Sequence, residues 1–529
     1  MHNPPSKSHQ PILAALFIIV IIMGVILFFI PPGLFPDPAN GLQVLRSMHL
    51  GSSFNTFVSP DQSDISQDYT EYITWWSPGQ YLVPYFFTLI TGSNMGHGIA
   101  ITVTIAELLG LAGFYAFFKK IGFSPLVSAI SLLFIVAQQA FMVPFVFYNG
   151  GEVLIFAFEG WFLYGCMSIN KTGFKLILFV LLSGWIGFFL KSSFVWVYAA
   201  GLCCLWIRLS KVTIGAFEWV KNALWIGIPA ALSISVIYFT YLSKGQSPAS
   251  NAHGIKITAE TFTFPLASPL LSGLSIDDLL HGLFFHTGNP VFNPMWSLVV
   301  LILLAVLSLW LIFSIVKYIP DNNYRLFVVV FYVTALLFFG VAYLRQLSIS
   351  YEARHFRVIG LLVMPGIVYL SRKLKGVFRL IFILVFNVIA YTSIFYLIGG
   401  YKANSMAARG TTGIAQPNVD QVSLNTLMKL NKENKNAVFV FMSNDIGLEI
   451  LHNRIITLPP IGDDLKIDVD NYRYQGFAGP LYIVLPESYN GPKEKLIMKS
   501  FPGYAGWQLS MLSPNYVLYE AKLKRGVIK

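Results

Sequence analysis

The chain is short of charge. Asp, Glu, Lys and Arg make up 12% of its 529 residues, about half of what a soluble protein of this length carries. Hydrophobic residues reach 55%. That imbalance excludes an ordinary soluble enzyme. Cysteine is also scarce: Cys166, Cys203 and Cys204 all fall inside apolar runs. None can staple an exterior domain or form a metal-type spacing, so they read as packing residues. There is no phosphate-cradling Gly-rich loop and no dinucleotide fingerprint, so ATP-driven chemistry is not indicated. Internal repeats and low-complexity tracts are absent.

What fills the space is long apolar runs. A bilayer core of about 30 Å needs roughly 20 apolar residues in helical form. Runs suited to this lie at 11–30, 97–118, 124–144, 151–168, 175–190, 193–208, 222–242, 295–316, 326–344, 357–371 and 378–398. The sequence therefore predicts a polytopic α-helical membrane protein with about eleven spans. The first run ends in Pro31-Pro32-Gly33 rather than a cleavage site, which favours a retained span over a signal peptide. Aromatic residues, at 16%, suit interfacial belts.

The net charge of +11 has a membrane explanation. With a cytoplasmic N-terminus, inside loops hold Lys7, Lys119, Lys120, Lys171, Lys175, Arg208, Lys211, Lys221, Lys317, Arg325, Arg372, Lys373, Lys375 and Arg379. Before the final domain, outside segments hold Arg46, Lys191, Lys244, Lys256, Arg345, Arg354 and Arg357. Fourteen against seven obeys the positive-inside rule. No nucleic-acid partner is needed to explain the basic balance.

The expected organisation is a membrane domain over 1–398 and an extracytoplasmic domain over 399–529. Exterior loops interrupt the first part at 31–96 and 243–294. The tail changes character: strand-like runs at Ala437–Met442, Leu481–Leu485 and Tyr516–Leu523 predict a small α/β or α+β module.

The first exterior loop carries the densest chemistry. Phe35-Pro36-Asp37-Pro38 opens it, and Asp61, Asp64, Asp68 and Glu71 follow. Trp75-Trp76-Ser77-Pro78-Gly79-Gln80-Tyr81 then leads into a short apolar segment suited to the membrane surface. Carboxylates there serve as a general base or as hard metal ligands; alternatively they form a solvated loop face. Elsewhere, Glu107, Glu152 and Glu159 fall within apolar runs, where a carboxylate is a functional candidate. His253, His281 and His286 match no metal spacing and read as loop histidines. The triplet Asp468-Val469-Asp470 is set aside, because nucleotide sugars are absent outside the cell.

The order of these elements resembles the GT-C superfamily of membrane glycosyltransferases, in the branch holding protein O-mannosyltransferases and the lipid A aminoarabinose transferase. An Asp beyond the first span (Asp37), a helix over 39–51 ending in Gly51, and the Trp76–Tyr81 element stand in that family's order. The resemblance maps the family's catalytic Asp onto Asp37, with Asp68 and Glu71 in reserve. Many relatives carry Asp-Glu where this chain has Asp37-Pro38. Tyr351-Glu352-Ala353-Arg354-His355-Phe356-Arg357, with Pro365 beyond, resembles the family's late Arg-Tyr-x-x-Pro-like element. Arg354 and Arg357 would there hold a lipid phosphate, with Arg345 and Lys191 as further members. Glu152, near Tyr148-Asn149-Gly150, and Tyr81 are candidates to line the substrate cavity.

The resemblance is clearest over 10–210 and weaker near 345–370. It implies a GT-C-like fold in a bacterial cytoplasmic membrane and inverting transfer of a sugar from a polyprenyl-phosphate donor. The acceptor would be an extracytoplasmic glycan, lipid or protein. A divalent metal is allowed but not demanded. Two other classes stay open: a transporter or flippase of a lipid-linked substrate, which paired repeats and broken helices would favour, and a non-catalytic membrane assembly protein.

Overall fold

A computed structural model describes residues 8–211, 215–245, 252–276, 294–458, 461, 465, 472 and 479–524. Lys7, His281, His286, Asp468, Val469 and Asp470 lie outside them. In chain order the elements begin with α1 (His9–Phe29), β1 (Gly33–Leu34), α2 (Pro36–His49), β2 (Thr56–Pro60), β3 (Asp68–Tyr72), α3 (Gly79–Thr91), α4 (Met95–Lys120), α5 (Pro125–Val136), α6 (Gln139–Met142) and β4 (Phe147–Tyr148). Then come α7 (Gly151–Ser168), α8 (Phe174–Leu190), α9 (Phe194–Lys211), α10 (Ala216–Thr240), α11 (Ala259–Gly273), α12 (Pro294–Tyr318), α13 (Asn322–Leu344), α14 (Arg357–Ser371) and α15 (Gly376–Met406). The last group is α16 (Gln421–Glu433), β5 (Val438–Phe441), β6 (Arg454–Thr457), β7 (Leu481–Pro486), α17 (Pro492–Lys499), β8 (Tyr504–Ser513) and β9 (Tyr516–Leu523). They form two compact units. One comprises Met1–Ile26, Val103–Phe145 and Gly151–Gly399; the other comprises Leu27–Thr102, Val146–Gly150 and Gly400–Lys529.

Every apolar run read from the sequence is helical, but not every helix is a full span. Among the described residues, eight helical segments are long and apolar enough to cross a bilayer: α1, α4, α9, α10, α12, α13, α15, and α14 together with the helical turn before it, as Ala353–Ser371. The count becomes nine if α5 and the segment from Gln139, bent by 73°, form one broken span. The expected eleven is therefore not reached on length and apolarity. α7 is diluted by Glu152 and Glu159, and α8 has only 17 residues. The final apolar run, expected to stop at 398, continues as helix to Met406. Gly399-Gly400 looks like a helix stop. In the structure Gly400 instead admits Val146, whose Cγ1 would lie 2.3 Å from an added Cβ.

In the first unit, close helix approach is bought with small residues. At Gly160 of α7 an added Cβ would sit 2.5 Å from the backbone of Gly113 in α4, the kind of contact that lets apolar helices pack without a water-driven force. A second departure from expectation is α11. The segment 243–294 reads as an exterior loop, yet Phe264, Ala267 and Leu271 of α11 are buried. Gln138 donates to the Gly273 carbonyl at 2.9 Å, and Ser272 donates to the Phe356 carbonyl at 3.1 Å. At 15 residues the helix is about 22 Å long, too short to cross the core. Pro265 and Pro269 inside it hide the helical signal.

The second unit is built on a five-stranded sheet of order β6-β5-β7-β9-β8. The first three strands are parallel; β9 runs antiparallel to β7, and β8 antiparallel to β9, so β8 points the same way as β7. Strand alternation sorts its two faces. Val438 and Val440 pack with Ile497 of α17, whereas Phe439 and Phe441 pack with Leu424 and Leu427 of α16. Helices thus cover both faces, giving the α/β option of the sequence reading. Ile65, from the loop joining the antiparallel strands β2 and β3, enters the Val438 face.

Candidate active site

In the first unit, four helix ends meet at a small cleft. It is lined by Glu152 and Glu159 of α7, Lys191 at the end of α8, Phe194 and Trp196 of α9, and Arg354, His355 and Arg357 at the start of α14. Glu152 organises the cations. Its Oε1 lies 2.8 Å from Lys191 Nζ and 3.3 Å from Arg354 Nη1. Arg354 also pairs with Glu352. Arg357 is held differently: its Nη1 donates to the Ala140 carbonyl, and its guanidinium lies 5.6 Å from the centre of the Phe156 ring. Among the described residues Arg357 forms no ion pair. Three cations therefore face a cleft with their orientations already set, an arrangement suited to a phosphate.

Arg345 is not part of this group. It is exposed at the C-terminal end of α13 and does not line the cleft. Glu107 is buried in α4 and is not among the lining residues either. His253 is exposed.

In the second unit, Asp37 sits in the first turn of α2 and is half-buried. Helix N–H groups favour a negative charge at that end. The helix start is set by β1, which pairs in parallel with β4; Gly33 donates to Val146 at 3.1 Å and Phe35 to Tyr148 at 3.1 Å. Pro36 and Pro38 fall in the first turn, where a missing N–H costs little. Asp37-Pro38 is thus a comfortable helix start, and Pro38 packs near Gly150.

The Trp76–Tyr81 element braces this start. Gln80 lies against Gly41 of α2 and against Gly150, and its carbonyl accepts from Tyr148 Oη at 2.7 Å. Tyr81 is fully buried and donates to Asn55 Oδ1 at 2.7 Å. Its place is a brace under the loop.

The remaining acids of this segment are dispersed. Asp61 accepts from Ser63 N at 2.7 Å, and Asp64 accepts from Ser66 Oγ at 2.7 Å. The Ser63 bonds hold the Asp61 carboxyl below its usual range. These two acids shape the turn between β2 and β3. Asp68 pairs with Arg454 at 2.6 Å. Asp68 and Glu71 are three apart on β3, so strand alternation puts them on opposite faces. Among the described residues no group of three or more His, Cys, Asp or Glu side chains is placed to hold a metal ion.

Sequence reasoning missed two groups. Asn40, Gln43 and Arg46 of α2 all bond to the segment between β5 and β6. Their spacing of three along one predicted helix was the available signal. Glu449 is buried and accepts from Thr411 N and Oγ1, both at 2.8 Å.

Similar solved structures are GT-C glycosyltransferases of membranes. One is the arabinofuranosyltransferase AftD from Mycobacteria: 12% identity, 97% of this chain and 40% of that chain, TM-score 0.45. The chain spans about two-fifths of that protein's length. Another is ArnT from Cupriavidus metallidurans bound to undecaprenyl phosphate: 12% identity, 98% and 99% coverage, TM-score 0.44. A third is the archaeal oligosaccharyltransferase AglB from Archaeoglobus fulgidus, in complex with an inhibitory peptide and a dolichol-phosphate: 11% identity, 99% and 75% coverage, TM-score 0.48. No family model and no curated protein matches the chain.

Proposed function

We propose that the chain is a membrane glycosyltransferase that moves a sugar from a polyprenyl-phosphate donor to an extracytoplasmic acceptor. The observation that carries this reading is the cleft of Lys191, Arg354 and Arg357 organised around Glu152. It lies where α7, α9 and α14 begin and α8 ends. The far ends of α9 and α14 carry Arg208, Lys211, Arg372 and Lys373, and by the positive-inside rule this supports an extracytoplasmic cleft. A phosphate there belongs to a lipid carrier, since nucleotide sugars stay in the cytoplasm.

In this reading the leaving group is the polyprenyl phosphate. As the bond from the anomeric carbon to phosphate oxygen breaks, negative charge grows on that oxygen. Arg357 and Arg354 stabilise it. Asp37 takes the proton from the acceptor hydroxyl, whose oxygen bonds the anomeric carbon from the opposite side. The centre is inverted. Asp68 and Glu71 are weaker candidates for the base, because one is paired with Arg454 and the two face apart.

The test is binding of undecaprenyl phosphate to the purified full chain. Arg357→Gln is expected to weaken it by roughly tenfold to a hundredfold, the worth of a charge-assisted bond. Unchanged binding overturns the phosphate assignment. A transporter of the same lipid would bind it too but would transfer no sugar.

A further inference from the structure

The catalytic reading treats α2 as a carrier of Asp37, yet most of that helix's polar contacts go elsewhere. Asn40, Gln43 and Arg46 stand three apart and form one ridge along it. Asn444 Nδ2 donates to Asn40 Oδ1 at 2.5 Å, and Gln43 Nε2 donates to the Asn444 carbonyl at 2.6 Å. Arg46 Nε donates to the Ile450 carbonyl at 2.5 Å and its Nη2 to the Asn453 carbonyl at 2.6 Å. All of these partners belong to the connection between β5 and β6.

That connection is itself pinned to the C-terminal domain. Asn453 donates to the carbonyls of Asn431 and Asn434, each at 2.9 Å, and accepts from Ala437 N at 2.9 Å. Ile455 and Phe441, at either end, belong to one buried cluster. The ridge of α2 is thus fastened to a hydrogen-bonded and partly buried segment of the domain.

Arg46 is the costly member. It is 9% exposed, and its guanidinium pairs with two carbonyl oxygens in this geometry. Burial lowers its pKa to about 10. An apolar side chain of similar length could fill the same space without stripping water from a charge. What the guanidinium adds is geometry: two donors in a fixed fork read two carbonyls three residues apart, which sets both the height and the rotation of the helix.

We infer that Arg46 is a positioning residue, through which the C-terminal domain sets the register of α2 and with it the placement of Asp37. The inference rests on the assignment of Asp37 as the base. The domain then has a task in the reaction.

The experiment uses the purified full chain with Arg46→Gln and Arg46→Lys. Hydrogen exchange of the α2 amides is expected to rise at least tenfold in Arg46→Gln, while β5 and β7 keep their protection. Transfer from a panel of undecaprenyl-phosphate sugars should fall about a hundredfold, the usual cost of misplacing a reacting group by an ångström. The KM for donor and the affinity for bare undecaprenyl phosphate should stay within twofold. Arg46→Lys, which keeps the charge but cannot hold both carbonyls, should fall between. Unchanged α2 exchange, unchanged turnover, or a matching loss of turnover and lipid affinity overturns the inference. If the unsubstituted chain transfers none of the sugars, the reading of Asp37 fails, and the exchange measurement alone decides whether Arg46 fastens α2.

Discussion

Glu152 holds two cations at once, and one carboxyl oxygen serves both Lys191 and Arg354. Its side chain is only 11% exposed, so water cannot replace it. Glu152→Gln should remove the carboxylate that holds Lys191, while Arg354 keeps Glu352, and destabilise the chain by about 3 kcal/mol, the scale seen when one partner of a buried pair is removed. A thermal unfolding curve in detergent would show the lower midpoint. An unchanged midpoint would mean that the pairs are open to solvent. At this scale the sequence was only partly legible. Arg354 and Arg357 stood out because exterior cations beside a span are uncommon, and Lys191 joins them. Arg46 did not stand out, because a single loop arginine gives no sign that two carbonyls await it some 400 positions along the chain. The acids Asp61 and Asp64 misled for the opposite reason. They are dense in sequence, but each is spent on a serine two residues on.

Among the elements, the turn between β4 and α7 is the most exacting. Gly150 has φ +60°, and an added Cβ would sit 2.7 Å from Gln80 Oε1. A β-branched residue there meets both the backbone penalty and the clash. Gly150→Val should therefore cost about 2 kcal/mol or more and should disturb Gln80, which lies against Gly41 beneath Asp37. Reduced turnover together with a lower unfolding midpoint is the expected pair of results; full activity at the original midpoint would show that the turn adapts. Helices were legible because apolar runs persist for twenty residues. The parallel pairing of β1 with β4 was not, since two-residue strands separated by more than a hundred positions leave no period to read. α11 was missed because two prolines and several Ser and Thr residues break the pattern, although burial among its neighbours keeps it helical.

For the whole molecule, composition settled the membrane class before any element was placed. Loop charges predict an orientation, and in the structure the ends of α7, α8, α9 and α14 converge on one cleft that holds three cations. The C-terminal sheet explains the three strand-like runs of the tail, and its connection between β5 and β6 gives the tail a part in holding α2. Asp37 is proposed as the base of a sugar transfer from a lipid phosphate. The most direct measurement is transfer by purified Asp37→Asn protein from a panel of undecaprenyl-phosphate sugars, beside its affinity for undecaprenyl phosphate. Turnover is expected to fall roughly a thousandfold with lipid affinity retained. Turnover equal to that of the unsubstituted chain would contradict it.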